Sequence, residues 1–333
     1  MSGLLLGIET SCDETAAALV DASGRVLSSV VSSQIAIHSS FGGVVPELAS
    51  RAHEQVILQV VREAFAVAGL EPSAALLEAV AVTKGPGLAG ALMVGVAAAK
   101  ALALGWGVPL VGVNHLEGHI FALELDEVVV RFPIAVLVVS GGHTMVVRVQ
   151  ERGVYEILGE TLDDAAGEAF DKVARFLGLG YPGGPEIERV ALNGDPKAVR
   201  IPRAKTKGVY DFSFSGPKTS VVNFVRANPA MAVSDIAASF QSSVVEVLAE
   251  RTIAAAVATG CVGVGLSGGV GANTLLRERL ERLGVQAGLA TYIPKKENCT
   301  DNGAMIASAG RFILERFGPS DADLEAYPSL RLA

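Results

Sequence analysis

Cysteine, charge and long apolar runs are all scarce in this chain, and each scarcity removes a class of protein. Cys12, Cys261 and Cys299 are the only cysteines in 333 residues. Scattered and odd in number, they build no disulfide framework and suit a reducing cytosol. Charged residues make up 19% of the chain, with a net charge of −8. That balance argues against indiscriminate nucleic-acid binding but leaves room for a local basic patch. Apolar stretches are short. Even Ala89–Leu104 carries Lys100 and stops near Trp106-Gly107, so no membrane span is expected. No cationic stretch precedes Leu4-Leu5-Leu6, so no signal peptide is expected, and the compartment expected is the cytoplasm.

What is present is a large core and an internal repeat. Half the residues are hydrophobic and 37 are glycine, and the length allows two domains. Leu4–Glu9, Thr15–Asp21 and Val26–Ser32 read as strands joined by turns, the first turn being Thr10-Ser11-Cys12-Asp13-Glu14. A helix over about 47–68 follows, with Pro46 at its first turn. Then come a strand at Glu78–Thr83, a helix at Ala89–Leu104 and a buried strand at Val108–Val113. After Pro133 the pattern begins again, with Ile134–Val139, Thr144–Gln150 and Val154–Gly159 as strands around Ser140-Gly141-Gly142-His143. Helices are expected at 164–177, 185–193, 216–226, 234–258, 272–283 and 302–317, and strands at 262–266 and 289–293. Strand-turn-strand-turn-strand followed by helix–strand alternation thus occurs twice. The duplication predicts an α/β protein of the actin, sugar-kinase and Hsp70 class, two lobes across a central cleft. The expected division is 1–130 and 131–333, with the C-terminal helix near 302–333 able to pack back on the first lobe.

The chemistry centres on Asn114-His115-Leu116-Glu117-Gly118-His119. Histidines four apart share one face of a helix, a spacing that suits one metal ion. Zinc peptidases of the HExxH type carry glutamate directly after the first histidine. Here Glu117 is two positions on and points away from the metal face, which disfavours a peptidase. A third ligand is sought in Asn298-Cys299-Thr300-Asp301-Asn302.

Several loops suit anions. Ser140–His143 is either an ordinary hairpin turn or one whose glycines let backbone N–H groups approach a phosphate. Gly265–Asn273 follows a strand and opens a helix, the arrangement that presents a helix N-terminus to phosphate. It lacks the Lys-Ser/Thr of a P-loop, which disfavours a Walker-type ATPase. Lys84-Gly85-Pro86-Gly87 reads as a tight connection. The acidic run Asp163, Asp164, Glu168 and Asp171 is a dipole-favoured helix start. Five cations without an acid, Lys197 to Lys207, precede Tyr210, Phe212 and Phe214, a mixture that suits RNA or a solvated loop. Asp13 or Glu14 would serve as the carboxylate of a small-molecule kinase, so that reaction stays open.

The motifs GIETSCDET at Gly7–Thr15, GGVVPELASRAH at Gly42–His53, NHLEGH, VSGGHT, DDAAGEAFDK at Asp163–Lys172, YPGGP, DFSFSGPKT, LSGGVGAN and NCTDNGAMIA match one family. From about residue 3 to 317 the chain resembles the tRNA threonylcarbamoyladenosine transferases, once described as O-sialoglycoprotein endopeptidases, in their bacterial form. The resemblance implies an actin-like fold and transfer of a threonylcarbamoyl group from threonylcarbamoyl-AMP to N6 of adenosine 37 in tRNAs reading codons that begin with A. It implies one divalent metal ion, iron(II) or zinc, on His115, His119 and Asp301. It implies an adenylate site at Val138, Val139, Ser140, Gly141, Gly142, Asp171, Gly184, Glu188 and Asn273, Glu188 standing where the family often has Asp. It further implies a heterodimer with a catalytically inactive paralogue and a small P-loop ATPase. The competing readings are a metallopeptidase and a small-molecule kinase of the same fold.

Overall fold

In the computed structural model, which describes residues 3–126, 128–204 and 206–332, the first strand β1 (Leu4–Glu9) is buried along its whole length. A continuous apolar run of this kind is what a central strand with both faces covered requires. β2 (Glu14–Val20) pairs with it antiparallel, and β3 (Val26–Ser33) pairs antiparallel with β2. β3 is exposed at alternate positions, Ser29, Val31 and Ser33, and so leaves one face open, the pattern of an edge strand. A short helix α1 (Ile35–His38), which the periodicity does not predict, leads to α2 (Pro46–Val67). α2 begins with proline in its first turn, where no N–H is needed, and carries Glu47 at its positive end. β4 (Leu77–Gly85) and β5 (Leu110–Asn114) add to the other side of β1 in parallel, giving the order β3-β2-β1-β4-β5.

Between β4 and β5 runs α3 (Ala89–Trp106), closed by Gly107 in the left-handed region at φ 64°. By length and composition α3 is the one helix among the described residues apolar enough to cross a membrane. It packs on α2 and β4, burying Ala91, Leu92, Gly95, Val96, Ala99 and Ala103. β5 delivers the chain to α4 (His115–Phe121).

The second sheet repeats the first. β6 (Ile134–Val139) is wholly buried, β7 (Thr144–Glu151) and β8 (Val154–Glu160) follow it antiparallel, and β8 is the half-exposed edge. Helices α5 (Ala166–Phe176), α6 (Gly183–Ala191), α7 (Ser215–Ala227) and α8 (Val233–Ala258) come next. β9 (Gly263–Ser267), α9 (Thr274–Gln286), β10 (Ala290–Tyr292) and the short α10 (Lys296–Cys299) complete this part. The strand order is β8-β7-β6-β9-β10, the same as in the first sheet. The duplication expected from the sequence is therefore present strand for strand. Boundaries agree to within three residues, the largest difference being at the end of α9.

The last helix, α11 (Gly303–Phe317), packs on β1, β2, β4 and α4. The chain divides into Met1–Val129 with Asp301–Leu332, and Val130–Thr300. Residues 301–332 thus belong to the first unit, the packing back that the division left open for the C-terminal helix. The reason is steric as well as hydrophobic. A Cβ at Gly7 would strike the Gly303 carbonyl, and one at Gly303 would strike the backbone of Ala17 and Ala18, so two bare backbones let α11 lie on β1. Ala304, Met305, Ile306 and Ala307 then join Leu5, Ala18, Ala81 and Val113 in one buried cluster.

Beyond α11 the chain runs back along β5. Ser320 N–H donates to Leu110 O at 2.8 Å, and Gly112 N–H donates to Ser320 Oγ at 2.9 Å. Tyr327 N–H reaches Lys84 O, Gly87 N–H reaches Pro328 O, and the Asn114 amide reaches Arg331 O. This tail satisfies edge groups of β5 that the sheet leaves unpaired. Ser320→Ala should cost about 1 kcal/mol of stability and speed exchange of the Gly112 amide. Denaturant unfolding with amide hydrogen exchange tests this, and unchanged Gly112 protection would refute the attachment.

Candidate metal centre

His115 and His119 lie on α4, whose first turn is organised by Asn114. The Asn114 Oδ1 accepts the N–H of Leu116 at 2.9 Å and of Glu117 at 3.4 Å, while its amide nitrogen is held by Arg331 O at 2.9 Å. An N-cap of this type satisfies helix donors that have no partner within the helix. Asp301 arrives from the other end of the sequence, one residue before Asn302, which caps α11 through Met305 N–H at 2.8 Å. Gly118 lets the two helices meet, since a Cβ there would press on Ile306 and Met305.

His119 Nε2 lies 3.2 Å from Asp301 Oδ1, and His115 Nε2 lies 3.7 Å from the same oxygen. The two rings are edge to face with centroids 4.7 Å apart. Ligand atoms of all three residues fall within 4.8 Å of one another. A four-coordinate ion about 2.0–2.1 Å from each donor needs donors roughly 3.3 Å apart, so the set fits one ion with small adjustment. His119 has no exposure and His115 only 5%. Two imidazoles and a carboxylate accept iron(II) or zinc and leave coordination positions open. Glu117 is half-buried and outside the cluster, as its position on the helix requires.

Carboxylates surround the triad. Burial disfavours charge on His115, but Glu9 and Asp301 outweigh it and push its pKa up to about 9. Glu9 has no exposure; burial raises its carboxyl, yet His115 and the Thr83 hydroxyl hold it below the usual value. Burial, with Asp13 and Asp301 beside it, pushes Glu14 up to about 10. Burial next to those same acids carries the Cys12 thiol well above its ordinary value, which removes it as a thiolate nucleophile. Behind this loop His53 Nε2 donates to Cys12 O at 3.0 Å, and Thr15 Oγ1 lies 2.8 Å from its Nδ1.

The residues expected at the adenylate all lie in the second unit. Val138 and Val139 are fully buried in β6 and can offer a ligand only backbone. Ser140–His143 is a closed turn: Ser140 N–H donates to His143 O at 2.8 Å, and His143 N–H donates to Ser140 Oγ at 3.1 Å. Gly141 and Gly142 are exposed at its tip, and a Cβ on either would meet nothing. α5 starts against this turn, where a Cβ on Gly167 would overlap Ser140 O. Gly268 comes against Val139 at φ 95°, a conformation and an approach that only glycine allows. Asp171 on α5 accepts the Gly183 N–H at 2.6 Å and so caps α6, which carries Gly184 and Glu188. Glu188 Oε1 accepts the Thr274 N–H at 2.9 Å, and Glu188 Oε2 accepts the Asn273 amide at 3.4 Å. Asn273 Oδ1 caps α9 at Leu276 N–H. The structure thus joins the strand end, the α5 turn, α6 and the α9 cap into one hydrogen-bonded set.

Asp163, read from sequence as a helix-start acid, has a different task. It accepts the N–H of Phe214 and Ser215 and both neighbouring hydroxyls, tying 213–215 down, while Asp164 takes Lys172 and Lys218. The basic run is also altered. Arg203 pairs with Glu246 and with Glu250 at 2.7 Å, so its charge is neutralised, and Lys205 lies outside the described residues. Residues the sequence reading did not single out are Glu9, Thr83, Asn114 and Asn302. The two asparagines were findable, since Asn before an apolar-periodic stretch is an N-cap signature.

Fold and triad together define an actin-like α/β protein with two histidines and one aspartate placed so that they could hold a metal ion. The fold is shared with HypF from T. kodakarensis only in architecture: TM-score 0.63, 16% identity, over 94% of this chain and 48% of that one. The same holds for the component A of Acidaminococcus fermentans (R)-2-hydroxyglutaryl-CoA dehydratase, at TM-score 0.55 and 14% identity over 95% of this chain and all of that one. Residues 25–308 match the family described as tRNA N6-adenosine threonylcarbamoyltransferase. Proteins of that name from Symbiobacterium thermophilum and Geotalea uraniireducens are 54% and 50% identical, covering 99% and 98% of this chain and 97% and 95% of their own lengths. The chain belongs to the tRNA N6-adenosine threonylcarbamoyltransferase family.

His119→Ala should abolish stoichiometric metal while the protein still folds, because the remaining two ligands no longer enclose an ion. Metal analysis of the purified variant beside circular dichroism decides it, and full occupancy would remove His119 from the site.

Proposed function

We propose that this chain transfers the threonylcarbamoyl group of threonylcarbamoyl-AMP to N6 of adenosine 37 in tRNAs reading codons that begin with A, forming t6A. The observation that carries the reading is a His115–His119–Asp301 triad, both histidines buried, in a chain about half identical, end to end, to proteins named for that reaction. An ion on the triad would act as a Lewis acid toward the acyl carbonyl. The other steps fall to the chain itself. Ser140–Gly142, with exposed glycines, would hold the phosphate, and Asp171, Gly184, Glu188 and Asn273 would hold the nucleoside. Retaining AMP in place stabilises the leaving group as the amine attacks, and no serine or cysteine nucleophile is needed because the mixed anhydride is already activated.

A peptidase would need a carboxylate base at the metal, and Glu117 is not there. A kinase of this fold would use magnesium on carboxylates and phosphates, whereas this site offers two imidazoles. The reading takes iron(II) as the metal, with zinc a substitute that the donor set also accepts, and places the reaction in the cytoplasm. It pairs the chain with a catalytically inactive paralogue and a small P-loop ATPase. The apolar groove between α2 and α3, about 710 Å³ and lined by Ile57, Leu58, Met93, Val94 and Leu102, supports a protein partner on that face.

Incubation with threonylcarbamoyl-AMP and unmodified tRNA, followed by nucleoside mass spectrometry, should yield t6A. Its absence with metal and both partners supplied would overturn the reading. Gly141→Val should weaken adenylate binding by calorimetry with near-normal melting, since the added side chain meets no protein atom. Unchanged affinity would make the turn structural only.

A further inference from the structure

Glu9 is the last residue of β1 and its side chain has no exposure to solvent. Burying a carboxylate is expensive unless its lone pairs are used. Here three donors use them. The Ser11 backbone N–H donates to Oε1, the Thr83 hydroxyl donates to Oε2 at 2.6 Å, and Nδ1 of His115 stands 3.0 Å from Oε2. A carboxylate offers acceptors only, so the imidazole nitrogen facing it must bear hydrogen. Ser11 Oγ, 3.2 Å from the same Nδ1, is a second acceptor for that hydrogen. With hydrogen on Nδ1, the lone pair of the neutral ring lies on Nε2, the nitrogen that faces Asp301.

We propose that Glu9 is a positioning residue of the metal centre: its Oε2 holds the Nδ1–H of His115 and thereby presents Nε2 to the ion. The inference rests on reading His115, His119 and Asp301 as a metal site. Glu9 itself touches neither the ion nor a substrate. It acts through the orientation and tautomer of one ligand, and Thr83 on β4 holds Glu9 in turn. The alternative is a purely architectural carboxylate that ties β1 to β4 and the Ser11 turn.

Glutamine at position 9 has the same shape but offers one acceptor oxygen and one NH2 group. Turned one way, the NH2 faces His115 and favours hydrogen on Nε2, which blocks the ligand nitrogen. Turned the other way, it opposes the Ser11 N–H. Zinc alone is the probe, titrated against a competing chelator into the parent, Glu9→Gln and Thr83→Val. Glu9→Gln should raise the zinc Kd roughly 10–100-fold, the usual effect of losing an outer hydrogen-bond partner of a ligand, and Thr83→Val should raise it less. Histidine-labelled ¹⁵N spectra of the zinc-loaded parent should show His115 bound through Nε2 with hydrogen on Nδ1, a signature that an architectural role would not set. A zinc Kd in Glu9→Gln equal to that of the folded parent overturns the inference alone. Should Glu9→Gln not fold, Thr83→Val decides: weaker zinc supports the inference, and unchanged zinc with His115 bound through Nδ1 overturns it. A parent that binds no zinc overturns the metal reading and this inference together.

Discussion

The contact on which the candidate metal site depends is the one between α11 and β1. Gly7 and Gly303 face each other with no room for a side chain on either, and α11 can lie on the sheet only because both are bare. That approach is what brings Asp301, at the start of α11, to histidines nearly two hundred residues earlier. The apolar cluster around Met305 and Ile306 supplies the stabilisation, each fully buried side chain being worth about 1.5–3 kcal/mol. Packing of apolar surface thus assembles the polar site. The hydrogen bonds then refine it.

Asparagine does that refining three times. Asn114 caps α4 immediately before His115, Asn302 caps α11 immediately after Asp301, and Asn273 caps α9. A side chain that both accepts from the helix start and donates elsewhere couples a helix end to its surroundings. Asn114 donates to Arg331 O, and Asn273 donates to Gln241 and Glu188. The helices that carry the candidate ligands are therefore held at the end nearest the chemistry, where fraying would otherwise be greatest.

The electrostatics of the first unit follow from crowding acids into an apolar sheet end. Glu9 and Asp301 flank His115, and Asp13 and Asp301 stand beside Glu14, with unequal compensation: donors hold Glu9 below the usual carboxylate value, whereas Glu14 is pushed up to about 10. A divalent cation is the species that such an excess of negative charge best accommodates. In the second unit the negative groups do the opposite work. Asp163, Asp164, Asp171 and Glu188 spend their oxygens on backbone N–H groups, hydroxyls and lysines, and so tie down the start of α7 and the starts of α6 and α9.

Local pattern settled the strands, the long helices and the duplication, because periods of 2 and 3.6 and turn residues act over a few neighbours. It also settled the histidine pair, whose i, i+4 spacing is a property of one helix, and the misplacement of Glu117. Motif resemblance, not periodicity, pointed to Asp301 and to the adenylate residues. What no local pattern contained was the pairing of distant groups: Glu9 with His115 across 106 positions, Arg203 with Glu246 across 43, and the tail from Ser320 to Arg331 on β5. Those depend on which backbones approach closely and which buried polar atoms then need partners. Only the tertiary structure decides that, because the cost of an unpaired buried group does not exist until the chain has folded around it.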